Sequence, residues 1–233
     1  MISTRKTYLR DVLRAAAHIS HCLLILLLVS NSSALTASPR RVGDEQLLEA
    51  ESILSDLGYW VLNVDGSPDA STRHAITAFQ KVEGRKRTGV LNGGVLEALR
   101  FAVRPIPRFN TGRAHIEIDI TRQVLFLTDE QGIVVRILPV STGNEERYFD
   151  QGKWNIAHTP RGAFKIARKI NGVRHASLGD LYYPNYFYGG VAIHGSLSIL
   201  PTPASHGCVR IPHYADKAFS SLVWVGMEVF VHD

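Results

Sequence analysis

Ser205-His206-Gly207-Cys208-Val209-Arg210 is the stretch from which the chain is best read. It holds one of only two cysteines in 233 residues, and the other, Cys22, lies in an N-terminal run with the pattern of an export signal. A thiol left without a disulfide partner in an exported protein calls for a chemical reason. Cys208 directly follows a histidine and a glycine, and His194 lies fourteen positions upstream. These are the components of a Cys/His nucleophilic site.

The leader explains most of the charge. Residues 1–37 carry Arg5, Lys6, Arg10 and Arg14 against Asp11, so the formal net charge of +5 falls to +2 without them. The remainder has no strong basic signature, which excludes a nucleic-acid partner. A basic start, the apolar run Cys22–Val29 and small polar residues from Ser30 to Ser38 follow the order of a signal peptide, with Ser32-Ser33-Ala34 or Leu35-Thr36-Ala37 before the cut. The alternative, a membrane anchor, needs about 20 apolar residues. Membrane contact is therefore expected only in transit during export, with a destination in the wall, the extracellular space or the periplasm.

Hydrophobic content of 45% and charged content of 20% are those of a globular protein. Residues 44–101 have helical periodicity. Leu47, Leu48, Ile53, Leu54 and Leu57 share a face that stops at Gly58, and Asp65-Gly66 is a turn. Ala75, Ile76 and Phe79 form a second stripe with Asp69 or Ser71 as N-cap, and a third helix is expected over residues 93–100 after Asn92. This three-helix segment resembles the peptidoglycan-binding type 1 domain through Leu57-Gly58-Tyr59, Val64-Asp65-Gly66, the run from Thr72 to Gln80, and Gly89-Val90-Leu91. The resemblance implies a module that holds the protein on peptidoglycan. Residues 102–112, containing Pro105 and Pro107, form an extended linker.

From residue 113 to 233 the pattern becomes that of strands. Ile116, Ile118 and Ile120 alternate with polar residues, and Asp129-Glu130-Gln131-Gly132 joins two apolar runs as a hairpin. Residues 164–167, 191–193 and 227–231 are further strands, and residues 214–223 a helix. The expected architecture is a mainly β domain, a sandwich or open barrel with one or two helices, behind the small three-helix domain.

An ordinary thiol, with a pKa of about 8.5, is mostly protonated at neutral pH, so the site needs a base. His194 ends the apolar strand Val191-Ala192-Ile193 and is followed by Gly195, so folding can bring it to the thiol, which favours His194 over His206 and predicts an imidazole–thiolate pair. Gly207 lets the backbone turn so that its N–H and that of Cys208 converge as an oxyanion site. Arg210 either binds a substrate carboxylate or braces the loop.

His194-Gly195 followed by the Ser205–Arg210 motif resembles the signature of the L,D-transpeptidase catalytic domain, with further matches at Ser141-Thr142-Gly143 and Thr159-Pro160-Arg161-Gly162-Ala163-Phe164. Asp216 stands about one position later than the aspartate that usually follows the motif. The resemblance implies that Cys208 is the nucleophile and His194 the general base. It gives the Gly195 carbonyl the task of orienting the imidazole, and His206, Gly207 and Cys208 that of forming the oxyanion site. Cys208 would attack the bond between the third residue of a tetrapeptide stem, an L-centre of a diamino acid, and D-alanine. The resulting thioester would pass to an amine on a neighbouring stem as a 3→3 crosslink. Relatives also use water, a D-amino acid or a protein lysine as acceptor, and are acylated by carbapenems.

Ser205, Arg210, Tyr183 and Phe187 are the candidate substrate contacts, the last two from an aromatic run, Tyr182 to Tyr188, that serves either as cleft wall or as packing. No cofactor and no metal are expected. A zinc site built from His194, His206, Cys208 and His213 is the rival, but it lacks Cys-x-x-Cys or His-Glu-x-x-His spacing. A non-catalytic wall-binding protein is the other. Peptidoglycan, as stem donor and amine acceptor, is the expected partner, and no pattern in the chain bears on oligomeric state.

Overall fold

The computed structural model describes residues 42–233, so the leader call over residues 1–37 lies outside the described residues. Helix α1 (Val42–Asp56) is followed by α2 (Ala70–Val82) and α3 (Gly93–Phe101). Of the two N-cap candidates Asp69 is used, its Oδ1 accepting from Thr72 N–H at 2.7 Å, while Asn92 caps α3 by accepting from Val95 N–H at 3.0 Å. Each cap satisfies a backbone donor that a helix start leaves without an intrahelical partner.

Strands β1 (His115–Asp119), β2 (Val124–Thr128), β3 (Val134–Pro139), β6 (Gly162–Lys165) and β12 (Glu228–His232) form one sheet in the order β3-β2-β1-β12-β6. A second sheet runs β11 (Val209–Pro212), β10 (Val191–Ser196), β9 (Gly179–Tyr188), β7 (Arg168–Lys169), with β8 (Val173–Ala176) also on β9. β4 (Arg147–Asp150) and β5 (Lys153–Ile156) make a separate hairpin, and α4 spans His213–Leu222. Ile116, Ile118 and Val229 from the first sheet meet Ile193, Val209 and Ile211 from the second and Phe219 from α4 in one apolar core. The domain is thus a mainly β sandwich.

All five residues of β2 are buried, although an antiparallel strand with one wet face would alternate. Leu125 and Leu127 enter the sandwich core, whereas Val124 and Phe126, with Val134 and Ile137 of β3, join Leu54, Phe79 and Leu99 of the helices in a second core. The helical module therefore covers the outer face of the sheet, and the described residues 42–233 belong to one compact unit. The connecting segment is fastened at its end: Glu117 accepts from the N–H groups of Arg108 and Phe109 at 2.9 and 2.7 Å.

Candidate active site

The register of β10 on β11 creates the site. The strands are parallel, with Ile193 opposite Val209 and His194 opposite Arg210. Side chains alternate along a strand, so Ile193, Val209 and Ile211 point into the core while His194, Arg210 and, one step before the strand, Cys208 take the other face. That face opens into a cleft of about 1030 Å³ to which His194, Cys208 and Arg210 all contribute. Gly195, next in the alternation, turns back toward α4. A Cβ there would lie 2.0 Å from Asp216 Oδ2 and 2.5 Å from Asp216 Cβ, so only glycine lets the strand approach the helix. Asp216 is itself buried and accepts from His213 Nδ1 at 2.7 Å. It braces β10, despite its displaced position in the sequence.

His194 is buried, and its Nδ1 lies 2.8 Å from the carbonyl oxygen of Gly195. A carbonyl can only accept, so Nδ1 carries the proton and Nε2 is left as the basic nitrogen. Burial lowers the imidazole to about pKa 4, against the opposing Gly195 hydrogen bond and with help from the Arg210 charge. Burial also raises the Cys208 thiol above its ordinary value, outweighing the Ala192 backbone hydrogen bond and the Arg210 charge. Both shifts favour neutral groups at rest. The direction is opposite to that of the expected imidazole–thiolate pair, and its cause is desolvation, which a sequence does not express.

The loop carrying Cys208 is held by two separated motifs, Ser141-Thr142-Gly143 and the segment that begins at Thr159. Gly143 N–H donates to Thr159 Oγ1 at 2.9 Å, and Thr159 Oγ1 donates to the Gly207 carbonyl at 2.7 Å. The Thr142 carbonyl accepts from Ala204 and Ser205 N–H, both at 2.9 Å, and Ser141 exchanges backbone hydrogen bonds with Arg210. The Gly207 φ of +130° and a Cβ position only 2.8 Å from the His158 carbonyl both demand glycine.

Four expectations are corrected. Ser205 borders the cleft, but it is 2% exposed and its hydroxyl is spent within the loop, accepting Gly207 N–H at 3.0 Å and donating to the Cys208 carbonyl. The same bond removes Gly207 N–H from the oxyanion donors, leaving Cys208 N–H as the donor from the expected pair. Phe187 packs in the sandwich core, because β9 alternates and places Tyr186 on the cleft side. Tyr183, with φ +48°, is absent from the cleft lining, where Tyr182 stands instead. Counting alternation back from His194 through its antiparallel neighbour, which pairs Ala192 with Tyr186, is the signal that picks Tyr186. His206 is exposed, its ring 4.6 Å from that of Tyr148. Arg210 both lines the cleft and reaches the Ala204 carbonyl at 3.3 Å. Tyr148, Arg168 and Arg174 also line the cleft. They come from β4, β7 and β8, short strands without a periodic signature. Among the described residues no group of three or more His, Cys, Asp or Glu is arranged to hold a metal ion.

Fold and site together define a two-core protein in which a helical module backs a β-sandwich that sets a thiol and an imidazole on one wall of a cleft. The chain belongs to the L,D-transpeptidase catalytic domain family, whose model matches residues 113–231, and the peptidoglycan binding domain model matches residues 43–99. These two domains make peptidoglycan its partner. A solved L,D-transpeptidase from Xylanimonas cellulosilytica DSM 15894 is 38% identical, with a TM-score of 0.74 over 80% of this chain and 93% of that one. An L,D-transpeptidase from Stackebrandtia nassauensis is 22% identical, covering 81% of this chain and 91% of its own at a TM-score of 0.47. One from Mycobacterium smegmatis is 21% identical, covering 52% and 59% at a TM-score of 0.43. No curated protein matches the sequence.

Proposed function

We propose that this protein is an exported peptidoglycan L,D-transpeptidase that forms 3→3 crosslinks through a thioester on Cys208. The observation that carries the reading is the β10–β11 register, which directs Cys208 and His194 into one cleft while the Gly195 carbonyl holds Nδ1–H and leaves Nε2 as base. As the Cys208 sulfur bonds to the carbonyl carbon of the third stem residue, its proton passes to His194 Nε2. The carbonyl oxygen becomes an oxyanion beside Cys208 N–H. Collapse breaks the bond to the D-alanine nitrogen, which takes the proton from the imidazolium and leaves as the free amino acid. The amine of a second stem then gives a proton to Nε2, attacks the thioester and returns the thiol. Burial disfavours the charged form of both thiol and imidazole, which supports proton transfer in concert with attack. The leader pattern supports action outside the cytoplasmic membrane.

The test is intact-protein mass of residues 38–233 after incubation with a carbapenem, beside Cys208→Ala and an EDTA-treated sample. The expected result is one adduct on the unaltered protein, none on Cys208→Ala, and no effect of EDTA. A folded protein that takes no adduct refutes the thiol mechanism, and stem cleavage abolished by EDTA points to metal chemistry.

A further inference from the structure

The cleft that holds the thiol is cationic in a way the catalytic steps do not use. Arg168 and Arg174 line it along with Arg210, and the acidic residue in the lining, Asp180, is occupied by His175 Nδ1 at 2.6 Å. Among the described residues no ion pair joins Arg168 or Arg174 to a carboxylate. The two reach the cleft from different strands, with Arg168 opposite Tyr186 and Arg174 opposite Leu181 on either portion of β9. The Arg168 guanidinium lies 3.8 Å from the centroid of the Tyr186 ring, and that tyrosine is 7% exposed. A buried ring fixes the plane of the guanidinium by stacking on its face, so its N–H edge is oriented before any ligand arrives. An oriented fork of this kind suits a carboxylate, which accepts two parallel charge-assisted hydrogen bonds. A carboxamide offers one oxygen, no charge, and an NH2 that opposes the fork.

We propose that Arg168 and Arg174 read a free carboxylate on the donor peptide, making the preferred substrate a stem with free carboxylates rather than its amidated form. This rests on the transpeptidase reading for the identity of the peptide, and it adds a specificity that the nucleophile and base do not supply. Loss of a charge-assisted pair at an oriented site is expected to weaken binding about ten- to a hundredfold.

The probes are two synthetic tetrapeptide stems built with a diamino acid that carries a side-chain carboxyl, identical except that the carboxyl groups other than that of the terminal D-alanine are acids in one and carboxamides in the other. Titration calorimetry on Cys208→Ala, which prevents turnover, gives each dissociation constant. The acid form is expected to bind at least tenfold more tightly, with an advantage that shrinks as salt rises. Arg168→Gln and Arg174→Gln each reduce that advantage, and Arg168→Lys retains part of it because charge persists without the fork. Unchanged circular dichroism confirms that the variants are folded. Equal dissociation constants for the two stems, or an advantage untouched by both glutamine variants, overturn the proposal. D-alanine release by the unaltered enzyme is measured in parallel: release with equal binding sinks this inference alone, whereas acid-selective binding without release sinks the catalytic reading alone.

Discussion

Lys81→Met tests whether the helical module is energetically part of the catalytic unit. Lys81 lies near the end of α2, is 1% exposed, and its Nζ donates to the carbonyls of Gln123 and Val140 at 3.0 and 2.9 Å. Burial, with repulsion from Arg87, lowers its pKa to about 7. The folded state therefore disfavours the charged form, and between this value and the ordinary 10.5 the unfolded chain binds more protons than the folded one. Stability from this group must rise with pH across that window, and linkage sets the gain at about 2 kcal/mol between pH 7 and pH 9. Methionine has a similar reach and no titration. It leaves the Gln123 carbonyl bonded to Val140 N–H but strips the Val140 carbonyl of its lysine donor, a loss of about 1–3 kcal/mol against which the removed charge burden works. Chemical denaturation of both proteins from pH 6 to pH 9.5 isolates the term, since all other groups cancel in the difference. The wild-type advantage over Lys81→Met should grow with pH by about that 2 kcal/mol. A difference that stays flat, or grows as pH falls, refutes the assignment of Lys81 as a strained buried cation. The substitution also reaches the site: Gln123 Nε2 donates to Thr142 Oγ1 at 2.7 Å, and Thr142 in turn accepts Ser205 N–H. Carbapenem acylation of the variant is expected to slow severalfold.

Two further outcomes follow from the geometry. Gly195→Ala forces a methyl group against Asp216 and must push β10 from α4, at about 3 kcal/mol for overpacking and a fall in Tm of about 6–12 °C. Its acylation rate should drop at least tenfold because His194 is the neighbouring residue, and an unchanged melting curve contradicts the close approach. The acylation rate measured from pH 5 to 9.5 should show no imidazole inflection near neutrality and no decline at about pH 8, since His194 is neutral above about pKa 4 and the thiol is raised. A bell with an alkaline limb near 8 instead reveals a preformed ion pair.

The residues alone determined the parts whose cause is local. Asn92 before Gly93 and the turn at Gly132 needed only capping and backbone preference, and the order of His194-Gly195 and Ser205–Arg210 was enough to single out the thiol. The apolar runs around Leu125 and Leu138 were legible as two strands of a hairpin, whereas their burial on both faces came from the helical module packed behind them. Tertiary structure decided the rest. Whether Phe187 or Tyr186 faces the cleft depends on pairing with a strand elsewhere in the chain, because a single step of register exchanges the two faces. Ser205 turned out to brace rather than bind because a hydroxyl can be spent within its own loop. The protonation of Cys208 and His194 is set by desolvation, a property of everything packed around them. The cationic wall of Arg168 and Arg174 assembles from strands too short for any periodicity to announce, and it exists only because both pair with β9 on the cleft side of the sheet.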